Sequence, residues 1–405
     1  MRKSLGERAD VAVVGGGVAG LAAARELARR GLSVAVLEDG RAGSASRAAA
    51  GMLAPQAEAD SADELFELLC ASREMYTAFA AAVGAESGIS VELDRTGTLY
   101  LALNDGDVEE VERRFAWQSS AGLEVERLTP AEARALEPNI SAGVRLALKF
   151  PRDWQVESKR LVIALDAATE SLGVRLIRAV EARGVMVKGG RAAGVVTSDG
   201  ELEAGAVVFA AGAWNSWLHK FSGVEGNPYL SDDPSVEPVR GQILCYQQHD
   251  ARTPLVRHVI YGPRGYIVPR RDGRLLAGST TERAGFDCRV TEEGRGSIAA
   301  HVAEMAPAVA ALEVTDSWAG LRPRAADGLP VLGESVDVKG LFYAAGFYRN
   351  GILLAPAAGE IIADLVTNSA TRLPARVLET FSPARFRRIS APPTVLKSQG
   401  ASSDR

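Results

Sequence analysis

The spacing of apolar positions changes several times along this chain. Val11 to Val14 is an unbroken apolar run, which predicts a strand buried on both faces. Leu21, Ala24, Leu27 and Ala28 then fall on one helical stripe, Gly31 ends that helix, and Val34 to Leu37 is a second buried strand closing on Glu38. Ser61 to Ala82 reads as an amphipathic helix with Leu65, Leu68, Leu69, Met75 and Phe79 on its apolar face. Gly97 to Leu103 alternates like a strand, Asp107 to Ser120 is helical, and TPAEARALEP is a capped short helix with Pro130 in its first position. A helix is expected over Glu157 to Leu172, followed by strands with Gly turns from Gly173 to Phe209. Val236 to Thr281 is again mostly strand, Thr291 to Glu304 is helical, and Leu341 to Val366 is a strand, a loop and a helix.

Strands alternating with helices predict an α/β fold: a Rossmann-like βαβ domain interleaved with a strand-rich α+β domain. The nucleotide-type signals are far apart, with two strand-rich stretches between them. The expected division is therefore 8–84, 151–235 and 318–370 in a discontinuous cofactor domain, with 85–150 and 236–317 in a substrate domain. The stretch 380–405, rich in Ser, Pro and Arg, is expected to be a disordered tail.

Composition narrows the function. The chain has 405 residues, 47% hydrophobic and 24% charged, enough for a substantial core. A net charge of −5 gives no basic footprint for nucleic acid or an anionic membrane. Cys70, Cys245 and Cys288 form no CxxC pair and the four histidines are scattered, so neither a disulfide framework nor a metal site is expected. The N-terminus passes from charged residues into a strand without an apolar leader segment, and no run of about 18 apolar residues follows. A cytoplasmic protein is the expectation.

Between the first strand and the first helix stands GxGxxG, as Gly15, Gly17 and Gly20. Gly15 permits a tight turn, Gly17 lets a pyrophosphate approach the backbone, and Gly20 packs helix on strand. The helix start at Val18 and Ala19 faces the phosphates, and the acids Glu38 and Asp39 end the second strand where ribose hydroxyls bind. The motif alone is weak; strand, helix, strand and acid in order are strong. AVVFAAGAWNSWL repeats the logic, with Gly212 at a strand's carboxyl end. In GFYRNGILLAP, Pro356 is tolerated only in a first helical turn, so the helix cannot begin much before Ile352. Its N-terminal amides would then meet whatever follows the Arg349-Asn350-Gly351 loop and suit an anion there, as a reduced flavin is.

Five stretches carry a resemblance: SRAAAGMLAP, PVRGQ (Pro238 to Gln242), YIVPRRDGRLLAGST (Tyr266 to Thr280), WAGLRPRAADGLPVLG (Trp318 to Gly333) and YRNGILLAP. The chain resembles the flavin-dependent amine oxidases of the D-amino acid oxidase superfamily, in their glycine oxidase branch, from Asp10 to about Val366. The resemblance implies non-covalent FAD and oxidation of glycine, with sarcosine or small D-amino acids as further candidates. Imine, 2-oxo acid, ammonia and hydrogen peroxide are the products it implies, in the service of thiamine thiazole synthesis, with O2 as acceptor and a homo-oligomeric state. It implies FAD contacts from Ala45, Ser46, Ala50, Gly51, Met52 and Val180, and from the loop Phe347, Tyr348, Arg349, Asn350, Gly351, Ile352 and Leu353. On this reading the small residues of Ala45 to Met52 leave room for the ring, and Gly51→Val is expected to cost flavin binding more than stability.

The resemblance also implies a substrate site. Arg322 would clamp the carboxylate, Arg349 would charge the pocket beside it, and Tyr266 would lend a hydroxyl. Phe347 stands where relatives often carry His, and Arg324 where they usually have Gly; both departures bear on substrate preference. A D-amino acid dehydrogenase or another amine oxidase of the superfamily, with a different acceptor or substrate, is the alternative. A tRNA-modifying flavoprotein, an NAD dehydrogenase and a flavin attached at Cys288 are weaker readings.

Overall fold

The computed structural model describes residues 4–219 and 231–387. β1 (Ala9–Val14) pairs in parallel with β2 (Val34–Glu38), Val14 opposite Leu37, and on its other side with the strand Glu201–Phe209, Val14 opposite Phe209. α1 (Val18–Arg29) joins the first two. These strands lie at the centre of an eight-stranded sheet completed by Leu341–Ala345, Val331–Glu334, Arg175–Arg178 and the hairpin Ala182–Lys188 with Arg191–Thr197. The unbroken apolar run has its explanation here. Val11 and Val13 face a core built with α1, Glu64–Ser87, Ser158–Ser171 and Gly351–Thr367. Ala12 and Val14 face a second core with Val185, Val195 and Tyr343. Both faces of the strand exclude water, so alternation is lost.

A second eight-stranded sheet runs in the order Val314–Arg324, Glu237–Gln247, Arg274–Gly278, Gly265–Pro269, Val259–Gly262, Thr98–Ala102, Leu146–Phe150 and Glu126–Leu128. Every neighbouring pair in it is antiparallel except Val259–Gly262 with Thr98–Ala102. One face packs on the helix Glu292–Met305 through Ile298, Val302 and Met305. The other turns Ile243 and Tyr266 toward Ala50. The sequence stretches alternate between the two sheets, as interleaving requires.

Local signals moved some boundaries. The first long helix starts at Glu64 because Asp63 accepts from Phe66 N at 2.8 Å, and it continues to Ser87, where Gly88 turns left-handed at φ 72°. Asn104 accepts from Asp107 N and starts the next helix at Asp105. The short helix Pro130–Leu136 is capped as expected, Thr129 and Glu132 bonding reciprocally. The strand Val314–Arg324 belongs wholly to the second sheet, paired along its length with Glu237–Gln247, so a cut at 318 would divide it. Of the expected tail, 380–387 is ordered: Pro383–Phe386 forms a helical turn and Arg385 Nε lies 2.7 Å from Asp327 Oδ2. The rest, 388–405, lies outside the described residues. Among the described residues no helix is long and apolar enough to cross a membrane.

Candidate active site

A cavity of about 710 Å³ opens at the carboxyl ends of β1, β2 and Glu201–Phe209 and reaches the second sheet. Gly15, Gly17, Val18, Ala19, Glu38, Asp39, Val180 and Gly212 line it on one side. Ala45, Ser46, Ala50, Gly51 and Met52, the loop from Phe347 to Leu353, and Tyr266 and Arg322 line the remainder. Of the residues expected at the site, Gly20 alone does not face it. The structure gives the reason. A Cβ on Gly20 would stand 2.0 Å from Gly15 O, so its role is to let α1 pack on the turn.

The first turn is a cradle. Gly15 sits at φ 118°, and a Cβ there would strike Ala210 O at 2.3 Å. Gly17 is different: its nearest neighbour would be Ser46 Oγ at 3.2 Å, which leaves backbone open to the cavity. Ser46 Oγ accepts from Val18 N at 3.1 Å and so ties the small-residue run to the helix start. Glu38 lies beside this turn, its carboxylate 2.7 Å from where a Gly16 Cβ would be. Burial pushes its pKa up, opposed by Arg47 and Arg178. Val180 N donates to Glu38 O at 3.1 Å, fixing the far wall beside that acid.

The run Ala45 to Met52 is small for a reason that the sequence reading missed in part. A Cβ on Gly51 (φ 76°) would lie 2.0 Å from Val156 O, so the collision is with protein. Ala48 Cβ is 2.5 Å from the Cβ position of Gly320 in the second sheet. The expectation that Gly51→Val costs flavin binding more than stability is therefore corrected, because the position is both left-handed and packed. Arg270, which the sequence reading also missed, holds this run from behind. Buried, it donates to Ala50 O, to Gln155 Oε1 at 2.8 Å and to Val156 O at 3.0 Å, and its charge meets Glu157 at 3.1 Å.

At the other end lies a charged chamber. Arg322 donates to Thr280 O at 3.0 Å and Ser279 Oγ at 2.6 Å. A Cβ on Gly241 would stand 2.2 Å from its guanidinium, which explains the glycine in PVRGQ. Burial pulls the pKa of Arg322 down, and no carboxylate pairs with it among the described residues. Arg349 differs. Its Nε is 3.3 Å from Glu58 Oε2 and its Nη2 donates to Tyr261 Oη at 3.3 Å; the Glu58 carboxylate holds its pKa up. Sequence reasoning gave Arg349 an open charge; Glu58 neutralises it. Tyr261 and Tyr266 stack at 6.3 Å, and burial keeps Tyr261 a neutral phenol. Phe347 is buried, while Arg324 pairs loosely with Glu237 at 3.4 Å and lies 6.0 Å over the Tyr348 ring.

Other lining residues had no expectation attached. Trp214 and Trp217, already inside the quoted AAGAWNSWL, could have been found by asking which side chains follow the strand end. Arg41 lies 4.4 Å over the Trp217 ring and pairs with Asp39 at 2.6 Å. Glu58, one turn after Pro55, is the first acid after the small-residue run. Cys288 does not line the cavity.

A nucleotide cradle running into a chamber where Arg322 has no ion-pair partner among the described residues fits a dinucleotide-dependent oxidoreductase. The chain belongs to the FAD dependent oxidoreductase family (DAO), whose model matches residues 10–365. It is 37% identical to the glycine oxidase of Geobacillus kaustophilus over 368 residues, spanning 90% of this chain and 94% of that one. It is 32% identical over 391 residues to the bifunctional protein ThiO/ThiG of Synechocystis sp., covering 95% of this chain and 55% of that one. The crystal structure of glycine oxidase from Geobacillus kaustophilus superposes with a TM-score of 0.86 at 36% identity, covering 94% of this chain and 99% of that one. The cofactor is FAD, and the backbone cradle at Gly15 and Gly17 fits it.

Two outcomes are expected. Gly51→Val should lower the unfolding free energy of the FAD-stripped protein by about 2–5 kcal/mol, from left-handed strain plus overpacking. Apoprotein melting unchanged from wild type would refute the packing account. Glu38→Ala should keep the fold and raise the FAD dissociation constant about ten- to hundredfold, through loss of charge-assisted hydrogen bonds of roughly 1.5–3 kcal/mol. Titration of apoprotein with FAD measures it, and wild-type affinity would exclude Glu38 as the ribose acid.

Proposed function

We propose that this protein oxidises glycine to its imine, which hydrolyses to 2-oxo acid and ammonia, with sarcosine or small D-amino acids as further substrates. The observation that carries this is Arg322: a partly buried guanidinium in the cavity wall that no carboxylate balances among the described residues. A buried charge without a partner is costly. An amino-acid carboxylate removes that cost, and the planar fork suits two parallel hydrogen bonds. Dehydrogenases and other amine oxidases of the superfamily share this need, so the preference for glycine rests on the relatives' similarity.

When bound, FAD would supply the two-electron acceptor for a hydride from Cα, with O2 as the proposed final acceptor. The protein supplies orientation. Ser279 and Thr280 O hold the Arg322 fork in place, so the carboxylate is met by a donor pair that does not reorganise. Tyr266 lines the same chamber from the second sheet and would donate its hydroxyl to the substrate. The Glu58–Arg349 pair contributes little net charge, leaving Arg322 as the dominant cation. No side chain needs to act as a strong base if the amine is neutral when Cα–H breaks.

The backbone at Gly15, Gly17, Val18 and Ala19 would hold the pyrophosphate, Glu38 the ribose, and Val180 the adenine end. The run from Ala45 to Met52 and the loop from Phe347 to Leu353 would flank the ring. The two sheets are proposed as the cofactor and substrate domains. O2 as acceptor, a cytoplasmic setting and a homo-oligomeric state are proposed on the likeness to the glycine oxidase branch. Delivery of the imine to a thiazole-forming reaction of thiamine biosynthesis is proposed on the bifunctional relative.

The test removes the fork. Arg322→Leu should lower kcat/KM for glycine about 30- to several-thousandfold, the effect of deleting one partner of a desolvated charge pair worth about 2–5 kcal/mol. Arg322→Lys should recover part of that loss. FAD content should stay at the wild-type level. An amine lacking the carboxylate, measured by peroxide release, should lose far less rate than glycine. Equal losses for both compounds would show that Arg322 supports structure and does not bind the carboxylate.

A further inference from the structure

Pro356 lies in the second turn of Gly351–Thr367. Sequence reasoning confined a proline to the first turn, and the helix tolerates it one turn later because of its neighbour. A proline there removes the N–H that would close on the carbonyl four residues back, and its ring crowds that carbonyl. Ile352 O therefore lacks the donor that an unbroken helix would place four residues on. It is bonded nonetheless: the Tyr76 hydroxyl, from Glu64–Ser87, donates to it. One turn earlier on the same helix, Ser72 Oγ donates to Leu353 O at 2.7 Å and accepts from Ala357 N at 3.3 Å. Both side chains are wholly enclosed, at 0% exposure. Tyr76 sits in an apolar core of Leu, Val and Ala, and burial pushes its pKa up, so it stays a neutral donor.

The carbonyl of Ile352 and the N–H of Leu353 belong to one amide. A donor at that oxygen polarises the N–H at the other end. Ile352 and Leu353 line the cavity, in the turn where a helix carries its partial positive charge. We propose that Tyr76, assisted by Ser72, is a positioning residue for the flavin. Its hydroxyl holds and polarises the first turn of Gly351–Thr367, so that the turn's amides stabilise negative charge on the ring. This rests on the reading that sets the ring against that turn.

Sulfite adds to the N5 position of an oxidised flavin and leaves the ring anionic, so its dissociation constant reports this stabilisation without turnover. The holoprotein is titrated with sulfite as wild type, Tyr76→Phe and Tyr343→Phe, and flavin reduction potentials are measured alongside. Tyr343 is a buried phenol in the core on the other face of the sheet, donating to Asp232 Oδ1 at 3.2 Å. Tyr76→Phe should weaken sulfite binding about two- to tenfold, the loss of one hydrogen bond, and lower the potential. Tyr343→Phe should leave both unchanged, even where its melting temperature falls. Should Tyr76→Phe fail to fold, Ser72→Ala carries the same expectation. Wild-type sulfite affinity and potential in the Tyr76 variant, or in the Ser72 variant that replaces it, overturn the proposal whatever the melting temperature. A wild-type holoprotein that forms no sulfite adduct would instead refute the placement of the ring.

Discussion

The site depends on backbone meeting backbone where β1 hands over to α1. Gly15 approaches Ala210 so closely that a methyl group would stand 2.3 Å from the carbonyl oxygen, and Gly20 approaches Gly15 more closely still. These contacts bring the carboxyl ends of two parallel strands and a helix N-terminus to one point. Open α/β sheets bind ligands at such points, because strand ends and helix amides there lack internal partners. The cavity is the space left when three elements converge without side chains between them.

Charge is distributed in the cavity as sharply as bulk. Glu38 stands beside the cradle, Arg349 is neutralised by Glu58, and Arg322 is held by neutral acceptors. An arginine paired to its own protein binds a second anion weakly; one fixed by a hydroxyl and a carbonyl keeps its full field. On the proposed function, attraction for a substrate carboxylate is confined to one point. Phe347, apolar and buried, adds no competing polar group in the neighbouring loop.

Much of this was legible in the chain because the signals were local. Strand, glycine turn, helix and acid fall within Val11 to Glu38, and each constrains its neighbours through backbone geometry. Pro130 and Thr129 fixed a helix start for the same reason. What stayed hidden was long in sequence and short in space. Glu58 meets Arg349 across 291 positions, Arg270 reaches Ala50 across 220, and Tyr76 reaches Ile352 across 276. No periodicity encodes such meetings. Gly51 was misread on the same ground: its small size reads as room for a ligand until Val156 is seen against it.

The proline in Gly351–Thr367 joins the two kinds of information. By itself it says only that a helix must begin nearby, and it was read that way. In the fold it frees a carbonyl inside the core, where an unpaired acceptor is costly. A tyrosine and a serine one turn apart on another helix meet that need. A continuous helix would have bonded its own first turn and left the neighbouring helix no influence there. Breaking the ladder transfers control of those amides to Glu64–Ser87, which packs behind the site and does not line the cavity.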